Sequence, residues 1–206
     1  TGNGTAGRTV SHSLGSTPGM VIVKRLNANI GWQVYHRSLG NTKAINLNES
    51  FGSGTSSNFN NTTPTSTNFT VGSGSAVNSS NATYVAYVFA HDDQSFGTDS
   101  DEAIIKCDSY TGSGSQGKYV EVGFEPQWLM IKRTAGSGAW KIVDMMRGMH
   151  VGIQAKYLQA NEFDAEFSAN GIEPGPTGFT LKTTGSDLNS SSETYIYMAI
   201  RRPHKP

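Results

Sequence analysis

Short apolar or alternating runs separated by polar, glycine-containing stretches follow one another along the whole chain. Runs of this length suit β-strands, because an amphipathic helix needs its apolar stripe to persist over about three turns. The polar segment at residues 50–67, rich in Gly, Ser and Thr, predicts an exposed loop. In the first part of the chain the pattern predicts strands at residues 8–14, 20–24, 30–35, 44–48, 69–71 and 83–89.

The second part of the chain continues in the same way. Residues 151–161 are the best candidate for an amphipathic helix, and their apolar periodicity is only moderate. The fold class is therefore predicted to be all-β, with antiparallel strands in two stacked sheets, as in a β-sandwich of the jelly-roll kind. Strands are predicted at residues 103–110, 118–122, 128–132, 140–143, 156–159, 179–182 and 194–200.

Blocks of sequence occur twice, in the same order. Residues 18–25 and 126–133 both begin with proline and end with Lys-Arg, and a tryptophan, Trp32 or Trp140, stands seven positions after each arginine. Such repetition predicts an internal duplication into two tandem domains, at residues 1–91 and 103–206, joined by an acidic linker at 92–102. The other matching blocks are 1–7 with 110–117, 43–49 with 156–162, 69–71 with 179–181, and 77–84 with 188–195.

The spacing between matching blocks differs slightly from block to block, so insertions lie between the blocks. Surface loops that join strands tolerate such changes, and any function specific to a partner is expected there. The second unit has a strand-like lead-in at residues 103–110 before its glycine-rich turn, whereas the first unit opens at the turn. We therefore expect the chain to be a piece of a longer polypeptide with further copies of the unit.

The overall charge of the chain excludes some partners. Sixteen basic and sixteen acidic residues cancel, so nothing in the bulk electrostatics recruits nucleic acid or an anionic membrane. No apolar run approaches the length of a membrane span, and we expect no membrane insertion. The single cysteine, Cys107, rules out an internal disulfide framework, and its alternating surroundings predict a buried free thiol.

Residues able to do catalysis or bind metal do not form recognisable motifs. The histidines lack metal-binding or triad spacing, and the acidic stretch at 92–102, which contains Asp99, lacks the order of an EF-hand. Glu162, Asp164 and Glu166 could approach glycosidase geometry on facing strands, but the first unit lacks two of the three. We predict no catalytic residue, no metal and no cofactor. The histidines are His12, His36, His91, His150 and His204.

Aromatic residues are the remaining candidates for ligand contact, because rings on β-sandwiches often hold sugars. Trp32 and Trp140 stand at matching positions and are predicted to be core anchors. Trp128 and Tyr157 are the candidate ligand or partner contacts. Exposed, coplanar rings at these two positions would favour sugar binding, and buried rings would argue against it.

A resemblance to a known family rests on spaced positions of the second unit. They begin with Gly123 to Pro126 and the strand that ends in Lys132 and Arg133. This pattern resembles a module of unknown function in structural proteins of tailed bacteriophages, especially marine and cyanobacterial phages, often described as tail or tail-fibre proteins. The first unit is similar to a divergent copy of it. The further positions are Trp140, Asp144, Arg147, Asn161, Glu162, Phe179 and residues 189–199.

The resemblance implies a virion component and brings no catalytic residues. The first unit departs from the pattern, with His36 where the second has Asp144 and no arginine at the position of Arg147. The leading expectation is a non-enzymatic virion protein of the tail fibre or another surface appendage, involved in host adhesion. It would contact other virion proteins and itself, as a homo-oligomer for which a trimer is expected, and a host-surface glycan. The alternatives are a capsid decoration protein and a carbohydrate-binding module of a secreted protein.

Overall fold

The structure, a computed structural model, describes residues 1–97 and 100–201. Its strands pair antiparallel in several sheets, which confirms the all-β prediction and is consistent with a β-sandwich. The chain divides into two compact units, Thr1–His91 and Asp92–Pro206. Two residues considered above, Asp99 and His204, lie outside the described residues.

The first unit contains a two-stranded sheet and a five-stranded sheet. The small sheet pairs β1 with β6, and the large one has the order β5-β4-β3-β2-β7. A bulge between Pro18 and Met20 interrupts the pairing of β2 with β7. The strands are β1 (Arg8–Ser11), β2 (Pro18–Arg25), β3 (Gln33–His36), β4 (Lys43–Asn46), β5 (Gly54–Thr55), β6 (Asn68–Val71) and β7 (Tyr84–Ala90).

The core of the first unit collects apolar side chains from both of its sheets, among them Val21 and Tyr35 from the large sheet and Phe69 from the small one. Phe59 joins this core with 1% of its surface exposed, and its ring centroid lies 5.6 Å from that of Tyr35. The prediction of an exposed loop at 50–67 is therefore wrong in part. The segment contributes strand β5, and its Phe59 packs in the core. The sequence neighbours of Phe59 are polar, so the sequence pattern does not indicate this burial.

The second unit contains a six-stranded sheet of order β13-β12-β11-β10-β16-β8 and a three-stranded sheet of order β14-β15-β9. Its core again takes residues from both sheets, with Leu129 and Tyr195 from the large one and Phe179 from the small one. The strands are β8 (Ile105–Thr111), β9 (Lys118–Glu121), β10 (Pro126–Arg133), β11 (Lys141–Asp144), β12 (Ala155–Gln159), β13 (Phe167–Ala169), β14 (Ile172–Gly175), β15 (Gly178–Leu181) and β16 (Thr194–Arg201).

Two expectations for the second unit change with the structure. The candidate helix at 151–161 is wrong, because this segment contains strand β12, in which Tyr157 and its neighbours alternate between faces. The described part of segment 92–102, expected to be a linker, makes contacts within the second unit. Asp92 forms an ion pair with Lys106 at 3.6 Å, and Glu102 forms one with Arg201 at 2.8 Å.

Matching hydrogen bonds hold the same turn in each unit. The side-chain carbonyl of Asn78 accepts from the amide of Asn3 at 3.0 Å, and that of Asn189 accepts from Ser113 at 2.8 Å. The hydroxyl of Tyr84 donates to the carbonyl of Ser75 at 2.9 Å. The hydroxyl of Tyr195 likewise donates to Ser186 at 2.6 Å. The backbone register agrees too, since Pro126 and Trp128 flank a bulge between β10 and β16.

Helical structure in the described residues is confined to two 3-10 turns, Arg37–Leu39 and Met145–Arg147. The side chain of Asp144 caps the second turn by accepting from the amide of Arg147 at 2.8 Å. No helix in the described part of the chain is both long and apolar enough to cross a membrane.

Candidate functional site

A cavity of about 260 Å³ opens at the edge of the core in the second unit. Strands β11, β12 and β13 form one wall of it, and the segments around Gly171 and Asp187 form the other. Its lining mixes charged, polar and aromatic side chains, which is the composition of small-molecule sites in proteins. The lining includes Lys141, Tyr157, Phe167 and Asp187.

Two residues that line the cavity, Lys141 and Asp187, form an ion pair. The ammonium of Lys141 lies 2.9 Å from a carboxylate oxygen of Asp187 and 4.9 Å from the centre of the Phe167 ring. Lys141 stands opposite Ile131 in the register of β10 and β11, so it occupies a core-facing position and only 9% of its surface is exposed. A charge placed there is stable because a carboxylate and an aromatic face replace the lost water.

Tyr157 forms the inner wall of the cavity. Its ring packs on Phe167, with centroids 5.8 Å apart, and 1% of its surface is exposed. The amides of Gly171 and Ile172 approach the hydroxyl, but neither completes a hydrogen bond of normal geometry. Burial raises the pKa of Tyr157, so the group stays a neutral phenol. A side chain at Gly171 would place its Cβ 2.6 Å from this hydroxyl, which explains the glycine.

The first unit has different chemistry at the matching positions. Register places Gln33 where the second unit has Lys141, and Ala44 where it has Tyr157. Gln33 hydrogen-bonds to the side chains of Asn46 at 2.5 Å and Asn58 at 2.8 Å, which gives a neutral amide network. The charged cavity is thus a property of the second unit, built on a backbone arrangement that both units have.

A second lysine of this unit, Lys132, is fully buried on the neighbouring strand β10. Its ammonium donates to the carbonyl of Arg133 at 3.1 Å. Burial lowers the pKa of Lys132 to about 8, although the carboxylate of Asp187 opposes this shift. Successive side chains of β10 point to opposite faces, so Lys132 lies on the face opposite Ile131 and does not line the cavity.

The predicted contact residues Trp128 and Tyr157 are not brought together. Trp128 is half-buried on β10 and stands opposite Asp144 and Ile200. Its neighbour Leu129 belongs to the same core as Tyr157, and successive side chains of a strand point to opposite faces. The two rings therefore lie on opposite faces of the sheet and form no coplanar platform. The burial of Tyr157 also removes its ring as an open stacking surface.

The other predicted residues have structural surroundings. Trp140 is buried, as expected of a core anchor, whereas Trp32 is half-buried and lies 6.4 Å from the ring of Tyr87 in a stacked arrangement. Cys107 is buried and forms no disulfide. Glu166 is exposed and forms an ion pair with Lys156 at 2.9 Å.

Sequence reasoning missed Lys141, Phe167 and Asp187. Asp187 lies in a polar turn and Phe167 follows an acidic run, so the sequence predicts that both are surface residues. The signal in the sequence was Lys141, because a lysine at the core-facing position of an apolar strand needs a partner. The first unit has the neutral Gln33 at the position that matches Lys141, and this difference in charge is visible in the sequence.

Comparison with known proteins gives one family. The model of a domain of unknown function, DUF7483, matches residues 1–203, a single span that includes both units. No curated protein and no solved structure matches the chain.

Proposed function

For this chain, which belongs to the DUF7483 family of unknown function, we propose the role of a non-enzymatic virion structural protein. It is a component of a tail fibre or another surface appendage of a tailed bacteriophage, and it takes part in adhesion to the host surface. The resemblance set out in the sequence analysis supports the virion setting, and the cavity of the second unit supports a binding role.

We also propose that the two units arose by internal duplication. The turn held by Asn78 in one unit and Asn189 in the other, and the bulge at Pro18 and at Pro126, support this origin. Duplication fits a binding protein well, because one copy keeps the scaffold while the other acquires a site.

The observation that carries the proposal is a cavity of the second unit lined by a charge pair, at positions where the first unit has a neutral amide network. Lys141 and Asp187 supply a donor and an acceptor side by side. The hydroxyls of a sugar ring need such pairs, and its C–H faces pack on rings such as Phe167. At about 260 Å³ the cavity is slightly smaller than the roughly 300 Å³ at which drug-sized pockets begin, so it suits one sugar residue.

A single sugar in a shallow cavity is held weakly, so adhesion depends on many copies. An oligomeric fibre that presents the site several times converts weak binding into high avidity through effective concentration. The neutral net charge of the chain agrees with a partner recognised by hydrogen bonds and packing rather than by long-range attraction.

The test is a glycan array probed with the chain displayed on a tetravalent carrier. We expect binding to a subset of glycans that share one terminal sugar. The double variant Lys141→Gln, Asp187→Ala places in the cavity the residues found at the matching positions of the first unit, Gln33 and Ala76. It should fold normally, because replacing both partners of a buried ion pair costs little, and lose at least about tenfold in binding.

The matched control removes an ion pair at a distance from the cavity. The variant Lys106→Gln, Asp92→Asn breaks a pair on β8 and should bind like the unaltered chain. Equal binding by the cavity variant, or no glycan bound by the unaltered chain, would overturn the adhesion part of the proposal. Of the two alternatives, a capsid decoration protein would bind no glycan on the array. A carbohydrate-binding module that stacks sugars on open rings is disfavoured by the burial of Tyr157.

A further inference from the structure

The chain contains two Asn-Gly pairs, Asn3-Gly4 and Asn170-Gly171. In such a pair the backbone nitrogen of the glycine can attack the side-chain amide carbon of the asparagine and close a five-membered imide. Glycine favours this reaction because it has no Cβ to restrict the backbone rotation that ring closure requires. The reaction also needs a side chain and a backbone amide that are not held elsewhere, so the fold decides which pair reacts.

The first pair, Asn3-Gly4, is held in an arrangement that prevents ring closure. The side-chain oxygen of Asn3 accepts from the amide of Thr5 at 3.0 Å and from the side chain of Asn78 at 2.9 Å. The amide of Gly4 donates to the carbonyl of Asn78 at 2.8 Å. Ring closure would have to break these hydrogen bonds, so the fold protects this pair.

The second pair, Asn170-Gly171, lacks these restraints. It forms the corner at which the chain passes from β13 of the large sheet to β14 of the small sheet. Asn170 is exposed, and its side chain forms no hydrogen bond with any residue that the structure describes. The amide of Gly171 approaches the hydroxyl of Tyr157 without a hydrogen bond of normal geometry. The two reacting groups are therefore able to meet.

The glycine that makes Asn170 reactive is required by the core. A Cβ at Gly171 would lie 2.6 Å from the hydroxyl of Tyr157 and 3.0 Å from the side chain of Leu188. Both of these side chains are buried, so a larger residue at this corner would displace the inner wall of the cavity. The reactive pair is thus a consequence of how the second unit packs.

Asn170 lies at the rim of the charged cavity, which it lines together with Lys141 and Asp187. Lys141 is the basic residue of the lining and Asp187 the acidic one, and their charges cancel in the ion pair. A carboxylate at position 170 would give the lining a net negative charge and would compete with Asp187 for the ammonium of Lys141. Conversion of Asn170 would therefore change the chemistry of the cavity.

We propose that Asn170 is a site of self-modification that changes the charge of the cavity. The backbone nitrogen of Gly171 forms a bond to Cγ of Asn170, and the bond from Cγ to the side-chain nitrogen breaks. The side-chain nitrogen leaves as ammonia and takes the proton that the Gly171 amide loses. Water then opens the imide at either carbonyl, which leaves aspartate or isoaspartate at position 170.

The effect of this modification on binding rests on the proposed adhesion role. A sugar that binds beside Lys141 and Asp187 meets an added carboxylate in the modified chain. Isoaspartate also lengthens the backbone by one methylene next to Gly171, whose carbonyl accepts from the amide of Lys182 at 2.9 Å. We expect glycan binding to fall as the modification proceeds.

The direct test is peptide mapping by mass spectrometry after incubation of the whole chain at mildly alkaline pH. We expect the tryptic peptide of residues 157–182 to gain about 1 Da at Asn170, at least about tenfold faster than the peptide of residues 1–8 gains it at Asn3. In urea the two rates should become similar, because the fold no longer restrains either pair. Equal rates in the folded chain, or an Asn170 that reacts only in urea, would overturn the proposal.

Two variants separate the modification from its effect. Asn170→Gln keeps a neutral amide that would have to close a six-membered ring, so it should gain no mass at this position. Asn170→Asp has the charge of the product from the start and should bind glycan at least about fivefold more weakly than Asn170→Gln. Equal glycan binding by the two variants would contradict the effect on the cavity. If the unaltered chain binds no glycan, the adhesion role fails, and the mass measurement still decides the modification.

Discussion

At the scale of single residues, the structure depends on a few buried polar groups that are fully paired. Asn189 has none of its surface exposed, and its side chain forms hydrogen bonds with three residues. It accepts from the amide of Ser113 and donates to the carbonyls of Ser115 and Thr183, each at 2.8 Å. The glycine-rich turn that contains Ser113 and Ser115 belongs to no strand, so the side chain of Asn189 supplies hydrogen-bond partners that a neighbouring strand would otherwise supply to its backbone.

The first prediction removes this group. Asn189→Ala should lower the free energy of unfolding by about 2–4 kcal/mol, because buried backbone groups lose their partners. Urea unfolding followed by circular dichroism measures the change. The exposed Asn27→Ala is the control and should alter stability by less than about 0.5 kcal/mol. A similar small change for both variants would contradict the role given to Asn189.

The second prediction concerns Lys132 and pH. Its folded-state pKa of about 8 lies below its ordinary value of 10.5, so the unfolded chain binds the proton more tightly. Stability linked to this group is therefore lowest below pH 8 and rises as pH increases from about 8 towards 10. We expect a rise of about 1–2 kcal/mol over this range, after allowance for solvent screening.

The comparison variant is Lys132→Met, which keeps a similar volume without the charge. It should lack the rise between pH 8 and 10 when urea unfolding is repeated at several pH values. The difference between the two proteins isolates Lys132 from tyrosines such as Tyr157, whose raised pKa affects stability at higher pH. Parallel pH profiles would show that Lys132 titrates normally.

At the scale of elements, the glycine-rich turn depends on close approach of two backbone segments. A Cβ at Gly112 would lie 2.1 Å from the carbonyl oxygen of Ser190. A Cβ at Gly2 would lie at the same distance from Ser79 in the first unit. The neighbour is backbone in both cases, so it cannot turn away as a flexible side chain would.

The third prediction follows from this contact. Gly112→Ala should destabilise the protein by about 2 kcal/mol or more, since a strand end must shift to relieve the overlap. Gly54→Ala is the matched control, because Gly54 is exposed and a Cβ there meets nothing within 4 Å. Thermal unfolding of the two variants gives the comparison. Equal Tm values would mean that the turn adapts without cost.

Elements with a clear apolar pattern were predictable, and irregular ones were not. Strands β2, β10 and β16 are apolar runs bounded by turn residues, and the sequence predicts them to within a few residues. Strand β14 contains proline and glycine, and β5 has two residues, so neither shows a period. Phe59 was missed because a single apolar residue in a polar segment gives no signal until tertiary contacts form.

The candidate site was less predictable than the fold. Tyr157 was selected for its aromatic ring, but both its ring and its hydroxyl are buried. Lys141 and Asp187 are far apart in sequence and meet only through the packing of β11 against the turn before Asn189. A charge pair formed by tertiary structure has no spacing rule that a single sequence could reveal.

At the scale of the whole molecule, the two units differ in what they offer. The first has a neutral amide network at the positions where the second has a charged cavity. The proposed adhesion role rests on the charged cavity of the second unit. Multivalent display is what makes weak glycan binding effective.

The fourth prediction is the oligomeric state. The protein should form a homotrimer, with a mass three times that of the monomer by size-exclusion chromatography with light scattering. Closed symmetric assembly is the usual form of homo-oligomers and presents each cavity three times. A monodisperse monomer at high concentration would contradict this expectation.

The most direct test of the proposed role is immunogold electron microscopy with an antibody against this chain, applied to particles from its source. We predict gold label on tails or fibres. Label over capsids would replace adhesion with capsid decoration, and label on no particle would contradict the virion role altogether.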